Sequence, residues 1–280
     1  MLDLQEFIRL SLEEDFGSGD HTSLSCIPKD STGSAELMVK ADGILAGVDL
    51  AYSIFKQFDA NIHFEKILDD GASIHKGMLA FKVHGSIHTL LGCERLALNC
   101  MQRMSGIATL TKAFVEKASP YGATILDTRK TTPLMRQLEK QAVRIGGGQN
   151  HRMGLHDMIL IKDNHVDFAG SITNAINRAV AYKQAHGLNI PIEVETRNMD
   201  EVHEVLHNGQ INRIMFDNFA PDLMRKAVQE VNGKYETEAS GGINIQNVSE
   251  YAATGVQYIS VGALTHSAIS LDLSLKASRH

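Results

Sequence analysis

The chain has 280 residues, 43% of them hydrophobic, and it carries 27 Lys and Arg against 33 Asp and Glu, a formal net charge of -6. This composition can bury a full core, in one large domain or two smaller ones, and it excludes a disordered chain. No run of about 18 or more uncharged apolar residues occurs, and the N-terminus carries acids where a signal peptide carries a basic flank. The sequence therefore predicts a protein that is neither exported nor inserted in a membrane.

The three cysteines, Cys26, Cys93 and Cys100, cannot all pair with one another. Their spacing matches no zinc-binding template. Free thiols are typical of a reducing compartment, so the sequence predicts a cytoplasmic protein.

The first third of the chain mixes helix and strand without a regular repeat. Residues 2–14 have the apolar spacing of a short amphipathic helix, residues 35–47 read as a strand and turn, and residues 48–58 read as a second helix. Two more strands are predicted, at 62–68 and 79–85. This order indicates an α+β layer.

Residues 89–118 are predicted to form a long helical region. On a helix, Cys93, Ala97, Cys100 and Met104 share one side, which favours core packing for both cysteines, whereas Arg95 falls on the other side. Spacing alone therefore predicts a solvated charge at Arg95.

From residue 123 onward, six short apolar runs alternate with amphipathic segments, a pattern typical of βαβ units and a parallel sheet. Such a sheet can be doubly wound or closed into a barrel. Polar or glycine residues follow or end every run: Asp127, Arg129 and Lys130; Lys162 and Asp163; Glu195; Asp217; Ser240, Gly241 and Gly242; and Gly262. Because barrels assemble their sites from the carboxyl ends of several strands, whereas doubly wound sheets use one switch point, the sequence favours an α/β barrel, closed or incomplete.

Cationic residues gather between positions 127 and 165 of this acidic chain, which suggests a small anionic substrate rather than a nucleic acid. Arg129, Lys130, His151, Arg152 and Lys162, with Lys140 as a further candidate, can hold several carboxylate or phosphate groups. A surface ion-pair network explains the charges equally well, but it does not explain their position after apolar strands.

Glu193 and Glu195 lie two apart on a predicted strand and therefore point to the same side, the interior of a barrel. A buried carboxylate there needs a metal or a cation. Glu195 and Asp217 form a candidate oxygen site for Mg²⁺. The alternative is that these acids pair with Arg and Lys across the barrel mouth, and the residues alone do not choose between the two.

Glycine turns follow the last two predicted strands. Ser240, Gly241, Gly242 and Gly262 lie where barrels often bind phosphate, because glycine lets backbone N–H groups approach the ligand closely. The run at 146–148 is instead interpreted as a flexible bend.

Residues 203–207 spell H-E-x-x-H, a pattern that on a helix can bind zinc. Val202, Val205 and Leu206 form the apolar stripe of that segment, and the two histidines lie about 100° or more away from it. They are predicted to face solvent, on the outside of the barrel.

Seven motifs, DTRKTTP, GGGQNHRMGL, LIKDNH, IEVET, MFDN, EASGGI and YISVGALTHS, occur in this order, and upstream stand EEDFGSGDHTS and ERLALNCMQRMSGIATLT. The chain resembles the quinolinate phosphoribosyltransferases over nearly its whole length. The resemblance implies an N-terminal α/β sandwich domain, residues 1–108, on which the tail 267–280 packs back, and an incomplete parallel α/β barrel, residues 109–266.

The resemblance also implies the reaction and the site. Quinolinate and phosphoribosyl pyrophosphate would give nicotinate mononucleotide, pyrophosphate and CO₂, with Mg²⁺ bound as the complex of phosphoribosyl pyrophosphate. Lys130, His151 and Lys162 are the candidate catalytic residues. The family assigns substrate binding to Arg95, Arg129, Lys130, His151, Arg152, Lys162, Glu195 and Asp217, metal binding to Glu195 and Asp217, and 5′-phosphate binding to Ser240, Gly241, Gly242 and Gly262.

A homodimer or larger oligomer is implied as well, in which Arg95 enters the neighbouring subunit's site. One departure is that the family commonly has TTPGLR, where this chain has Leu134 and Met135 in place of Gly-Leu, which puts the local turn in doubt. Two other hypotheses remain: a related transferase with another nitrogenous acid as substrate, and a non-catalytic protein that binds anionic metabolites.

Overall fold

A computed structural model describes residues 3–278 and divides the chain into two compact units. Of the described residues, 3–110, 132–147 and 268–278 belong to the first, here called the sandwich unit, and residues 111–131 and 148–267 to the second, the barrel unit. The predicted N-terminal domain and C-terminal tail also included residues 1, 2, 279 and 280. These four residues lie outside the described part of the chain.

Within residues 3–278 the chain forms eleven α-helices and twelve strands. The helices are α1 Leu4–Phe16, α2 His21–Cys26, α3 Val48–Phe58, α4 Ile87–Ala118, α5 Arg136–Ile145, α6 Asp163–Ala169, α7 Ile172–Ala185, α8 Met199–Asn208, α9 Pro221–Val231, α10 Val248–Ala252 and α11 Ala263–His266. The strands are β1 Thr32–Val39, β2 Gly43–Ile44, β3 His63–Lys66, β4 Ser73–Ile74, β5 Leu79–Ser86, β6 Thr124–Leu126, β7 Ile159–Ile161, β8 Ile192–Thr196, β9 Arg213–Asp217, β10 Glu236–Ser240, β11 Tyr258–Ser260 and β12 Leu273–Ala277. No helix in this part of the chain is long and apolar enough to cross a membrane.

The sandwich unit is built on a four-stranded antiparallel sheet with the strand order β12-β1-β5-β3. Strand β1 alternates between buried and partly exposed residues, as expected when one sheet face covers a core. Phe81 of β5 contacts Phe64 of β3 and Phe55 of α3, with ring centroids 4.5 and 6.4 Å apart. Strand β12 pairs with β1, so the C-terminal segment completes this sheet.

The apolar side of α4 is buried as predicted. Cys93, Ala97, Cys100 and Met104 are all at most 3% exposed, and burial raises the pKa of both thiols to about 12. The two cysteines are therefore unreactive core residues at neutral pH. Arg95 lies on the exposed side.

The barrel unit has six parallel strands in the order β6-β11-β10-β9-β8-β7. Strands β7 to β11 are neighbours in chain order, and the first strand, β6, pairs with the last, β11. A doubly wound sheet would reverse its order at a switch point. The sequence of neighbours is instead that of a barrel left open between β6 and β7, which confirms the predicted incomplete barrel.

The histidines of the H-E-x-x-H pattern lie on α8 and face away from the core, as predicted. His203 pairs with Glu230, and the stripe residues Val202 and Val205 are buried. Glu204, the acid of the pattern, accepts a hydrogen bond from the backbone N–H of Thr173. This arrangement gives no zinc site.

Residues 132–147 were placed in the barrel domain by the sequence interpretation, whereas in the structure they cluster with the sandwich unit. The reason is a buried ion pair. The carboxylate of Glu139 on α5 is fully buried, accepts hydrogen bonds from the Arg103 side chain at 2.9 and 3.1 Å, and accepts two more from Thr132. A buried carboxylate requires this degree of pairing, and α4 supplies the cation.

The turn before α5 keeps a conformation that favours glycine, although this chain has Leu134 there. Leu134 has φ +64° and a 75% exposed side chain. An L-residue in this left-handed region costs about 1–2 kcal/mol. The turn therefore places a leucine in a backbone conformation that glycine adopts without strain.

Replacing Leu134 by Gly should therefore stabilise the protein. Relief of the left-handed strain exceeds the extra chain entropy of glycine, about 0.5–1 kcal/mol, so Tm should rise by about 1–3 °C. Thermal unfolding measures this. The control is Ile269→Gly, at an exposed loop residue of the same unit without positive φ, where Tm should fall. A fall of similar size in both variants would contradict the strain at Leu134.

Candidate active site

One pocket of about 880 Å³ in the barrel unit collects eleven of the twelve predicted site residues. The exception, Arg95, belongs to the sandwich unit. Those that line the pocket are Arg129, Lys130, His151, Arg152, Lys162, Glu195, Asp217, Ser240, Gly241, Gly242 and Gly262. Most of them follow the carboxyl ends of β6, β7, β9, β10 and β11, the edge where parallel barrels form their sites.

Cations form one wall of this pocket. Arg152 is half-buried, and its Nη1 donates a hydrogen bond to the carbonyl of Met158 at 3.2 Å. Burial, and then the charge of Arg129, lower the pKa of Arg152. Such mutual repulsion at a concave surface favours a bound anion. Lys140, the further candidate of the sequence interpretation, is instead 1% exposed on α5 of the sandwich unit and is not among the lining residues.

Asp127 fixes the segment that carries His151 and Arg152. It follows β6 directly, is fully buried, and accepts hydrogen bonds from the Asn150 side chain and from the backbone N–H of His151, the latter at 2.9 Å. Gln149 forms an isolated parallel β-bridge with Leu126 of β6. The end of the first strand therefore determines where this part of the cationic wall stands.

The acidic side of the pocket consists of Glu195 and Asp217, at the ends of the neighbouring strands β8 and β9. Burial, and then the charge of Glu195, raise the pKa of Asp217, so the two carboxylates lie close enough to repel each other. Two carboxylates on one wall are a donor set that fits Mg²⁺. Glu195 also pairs with Lys162, Oε2 to Nζ 2.6 Å, which is the cation pairing that the sequence left as the alternative.

Close approach requires glycine at position 241, and Gly262 packs against the Lys130 side chain. Gly241 has φ +91°, and a Cβ there would lie 2.8 Å from the backbone nitrogen of Asn218. A Cβ on Gly262 would lie 3.0 Å from Cδ of Lys130. Thr265, in α11, donates a hydrogen bond to the carbonyl of Lys130 at 2.8 Å. Both turns are therefore packed directly against site residues.

Beneath the cationic wall, His151 meets two acids of the barrel interior. Its Nε2 lies 3.0 Å from Oε2 of Glu193 on β8 and 3.4 Å from Oε2 of Glu238 on β10, and both acids are fully buried. Arg213 on β9 contacts the same Oε2 of Glu238 at 2.9 Å. Burial alone would lower the pKa of His151, but Glu193 and Glu238 together raise it to about 9.

The backbone N–H of Arg152 favours the neutral ring of His151. It donates a hydrogen bond to Nδ1 of the ring at 2.8 Å, and Nδ1 accepts this bond only while it carries no proton. A neutral hydrogen bond contributes about 1 kcal/mol. The two carboxylates, which raise the pKa of His151 from 6.5 to about 9, and the hydrogen bond to Nδ1 therefore act in opposite directions on the proton of the ring.

Sequence reasoning missed several residues of this site. Glu238 could have been found, because it stands two residues before Ser240 on β10, as Glu193 stands two before Glu195 on β8. Arg213 opposes Glu193 in the register of β8 and β9, a pairing that is fixed only by the folded sheet. Asn218 has φ +57° and donates to Asp217 at 2.7 Å, and His266 lines the pocket. Both stand in motifs of the sequence, MFDN and YISVGALTHS, but the position of the strand ends did not single them out.

Comparisons with known proteins agree with this architecture. Residues 20–105 match the family model described as quinolinate phosphoribosyl transferase, N-terminal domain, and residues 107–276 match the model of the C-terminal domain. The decarboxylating quinolinate phosphoribosyltransferase 1b of Nicotiana tabacum is 47% identical over 98% of this chain and 82% of its own length. The chloroplastic nicotinate-nucleotide pyrophosphorylase (carboxylating) of Arabidopsis thaliana is 46% identical over the same shares.

Solved structures show the same likeness. The nicotinate-nucleotide pyrophosphorylase of Francisella tularensis superposes with a TM-score of 0.91 at 37% identity, over 98% of this chain and 96% of that one. Since both family models match, and together they span residues 20–276 almost without a gap, the chain belongs to the quinolinate phosphoribosyltransferase family.

Proposed function

We propose that this chain transfers the phosphoribosyl group of phosphoribosyl pyrophosphate to quinolinate and releases CO₂, as a decarboxylating quinolinate phosphoribosyltransferase of NAD biosynthesis. The observation that carries the proposal is the pocket in which a cationic wall, from Arg129 to Lys162, faces Glu195 and Asp217 at one barrel mouth. A protein that only captured anions would gain nothing from acids beside its cations.

The chemistry needs both sides of the pocket. The pyridine nitrogen of quinolinate attacks ribose C1 while the C1–O bond to pyrophosphate breaks, so positive charge develops on the sugar and negative charge on the leaving group. Once ribosylated, the ring is cationic, so the adjacent carboxylate leaves as CO₂ and its electron pair stays on the ring carbon. That carbon then takes a proton, which gives nicotinate mononucleotide.

The cationic wall holds the two carboxylates of quinolinate in register for these steps. Arg129 and Arg152 are suited to bidentate contacts with planar carboxylates, and Lys162 and His151 add further charge. Lys130 lies beside the turn at Gly262, where its cation can stabilise the leaving pyrophosphate. Ser240, Gly241, Gly242 and Gly262 are proposed to bind the 5′-phosphate.

Glu195 and Asp217 would hold Mg²⁺ together with the ribose hydroxyls. When bound, the ion would neutralise charge on the pyrophosphate. Lys162 contacts Oε2 of Glu195, and the second oxygen of this carboxylate would face the ion.

We propose that the protein is cytoplasmic and has free thiols. We also propose a homodimer or larger homo-oligomer in which Arg95 completes the neighbouring subunit's pocket. Support comes from the exposed position of Arg95 on α4, where it lines a groove of the sandwich unit together with Leu134. The cysteines of residues 3–278 form no disulfide.

The direct test is CO₂ release from carboxyl-labelled quinolinate in the presence of phosphoribosyl pyrophosphate and Mg²⁺. We expect CO₂ and nicotinate mononucleotide in equal amounts, because the ribosylated ring drives decarboxylation. Nicotinate in place of quinolinate is the matched control and should give no CO₂ and little nucleotide.

The two rival functions predict different results in the same assay. Turnover of another nitrogenous acid, with none of quinolinate, would identify a related transferase. Tight binding of quinolinate by calorimetry without any product would identify an anion-binding protein.

The role of Arg95 can be tested by subunit complementation. Arg95→Ala and Lys162→Ala should each lower kcat/KM by roughly a hundredfold or more, because each removes a cation from the site. Coexpressed, the two variants should regain roughly a quarter of wild-type activity, since half of random dimers are mixed and each mixed dimer has one intact site.

Lys226→Ala, which removes an exposed lysine of α9, is the control for loss of a cation and should leave activity unchanged. If the coexpressed variants stay as inactive as the separate ones, Arg95 does not act in the neighbouring subunit.

A further inference from the structure

Two fully buried acids of the barrel interior, Glu193 and Glu238, have no part in the substrate contacts proposed above. Their carboxylates lie beneath the pocket, on β8 and β10, with β9 between them. Oε1 of Glu238 and both carboxylate oxygens of Glu193 lack a partner with hydrogen-bond geometry among the described residues, so Glu193 meets Nε2 of His151 as an ion pair at 3.0 Å. Buried carboxylates this poorly hydrogen-bonded are costly, so their retention needs a reason.

The charges around His151 show what the two acids balance. Glu193 faces the ring from β8, Glu238 from β10, and Arg213 of β9 lies behind Glu238. Asp127, at the end of β6, accepts the backbone N–H of His151, and Arg152 follows it in the chain. Arg213 provides one positive charge for two carboxylates, and burial together with the charge of Glu238 raises the pKa of Glu193 to about 7, so the cluster becomes neutral either by a proton on Glu193 or by a second cation. The 3.0 Å approach of Nε2 of His151 to Glu193 favours the second cation. The imidazolium of His151 is in position to be that cation.

We propose that Glu193 and Glu238 are positioning residues of the transfer reaction, which hold the ring of His151 by Nε2 and serve as counter-charges that keep it an imidazolium beneath the dicarboxylate substrate. This rests on the proposed function in one respect only, namely that His151 contacts quinolinate. Glu193 acts through His151, because it does not line the pocket, whereas Glu238 reaches the pocket wall as well as the ring of His151.

The same three side chains could instead bind a metal, since one ligand atom from each lies within 4.8 Å of the others. The guanidinium of Arg213, 2.9 Å from Glu238, argues for the proton rather than a metal as the second positive charge. The two readings differ in a measurable way, because only a metal would be retained after purification and removed by a chelator.

The test follows the ring of His151 by NMR in the full-length protein labelled with ¹⁵N-histidine. Its signal, one of thirteen, is identified by its loss in His151→Asn. We expect the wild-type ring to stay protonated above pH 8. In Glu193→Gln and Glu238→Gln, loss of a counter-charge should lower the titration midpoint by about one unit or more.

Glu236→Gln is the matched control. Glu236 lies on the same strand as Glu238 and contacts the same Arg213 at 2.9 Å, but it is exposed, whereas Glu238 is buried against His151. Its replacement should leave the midpoint at the wild-type value. Should Glu238→Gln fold poorly because Arg213 loses a partner, Glu193→Gln still decides, since Arg213 keeps its ion pairs with Glu236 and Glu238 in that variant.

A kinetic measurement separates positioning from a merely structural role. With saturating phosphoribosyl pyrophosphate and Mg²⁺, KM for quinolinate should be flat from pH 6.5 to 8.5 in wild type and Glu236→Gln. In Glu193→Gln it should rise about fivefold or more over this range, with kcat changed by less than about twofold, because the ring loses its proton and only ground-state attraction is lost.

Three results would overturn the proposal: a wild-type midpoint near 6.5, unchanged midpoints in both Gln variants, or a stoichiometric metal in the purified protein whose removal shifts the His151 signal. Absence of any turnover of quinolinate would refute the proposed function instead, and the NMR titration would still decide whether the two acids hold the imidazolium.

Discussion

Charge balance inside the barrel is the constraint on which the site depends. Parallel strands point alternate side chains inward, and β8 and β10 use inward positions for acids, Glu193, Glu195 and Glu238. Each acid costs several kcal/mol unless a cation meets it. The cations come from elsewhere in the chain: Lys162 after β7, Arg213 on β9, and His151 from the segment after Gln149. The interior acids therefore fix where the cationic residues stand.

The strand order determines which residues meet at the barrel mouth. Because the first strand, β6, lies beside the last, β11, residues that are far apart in sequence meet at one edge of the barrel. Lys130, after β6, packs against Gly262, after β11, and the carbonyl of Lys130 accepts a hydrogen bond from Thr265. The proposed phosphate turns and the cationic wall thus share contacts, so displacement of one displaces the other.

Much of the fold could be predicted from periodicity. The run of six parallel strands, the buried face of α4 and the solvent-facing histidines of α8 follow from local patterns alone. Residues 132–147 could not be assigned, because their position depends on one long-range ion pair, Arg103 with Glu139. At the site, strand ends located the pocket residues, whereas the partners of Glu193 depend on strand register, which local sequence does not specify. Leu134 shows the converse: the turn keeps its left-handed residue although the glycine that usually signals it is missing.

The opening between β6 and β7 leaves two sheet edges at which other molecules could pair. An open sheet exposes two edges, and a long unpaired edge recruits strands from other molecules. Here each edge strand has three residues. The edge of β6 is further occupied by Gln149, whose N–H donates to Ile125 and whose carbonyl accepts from Asp127. The residue that closes this edge stands two positions before His151, so one short segment both blocks edge-to-edge aggregation and delivers the cation of the site.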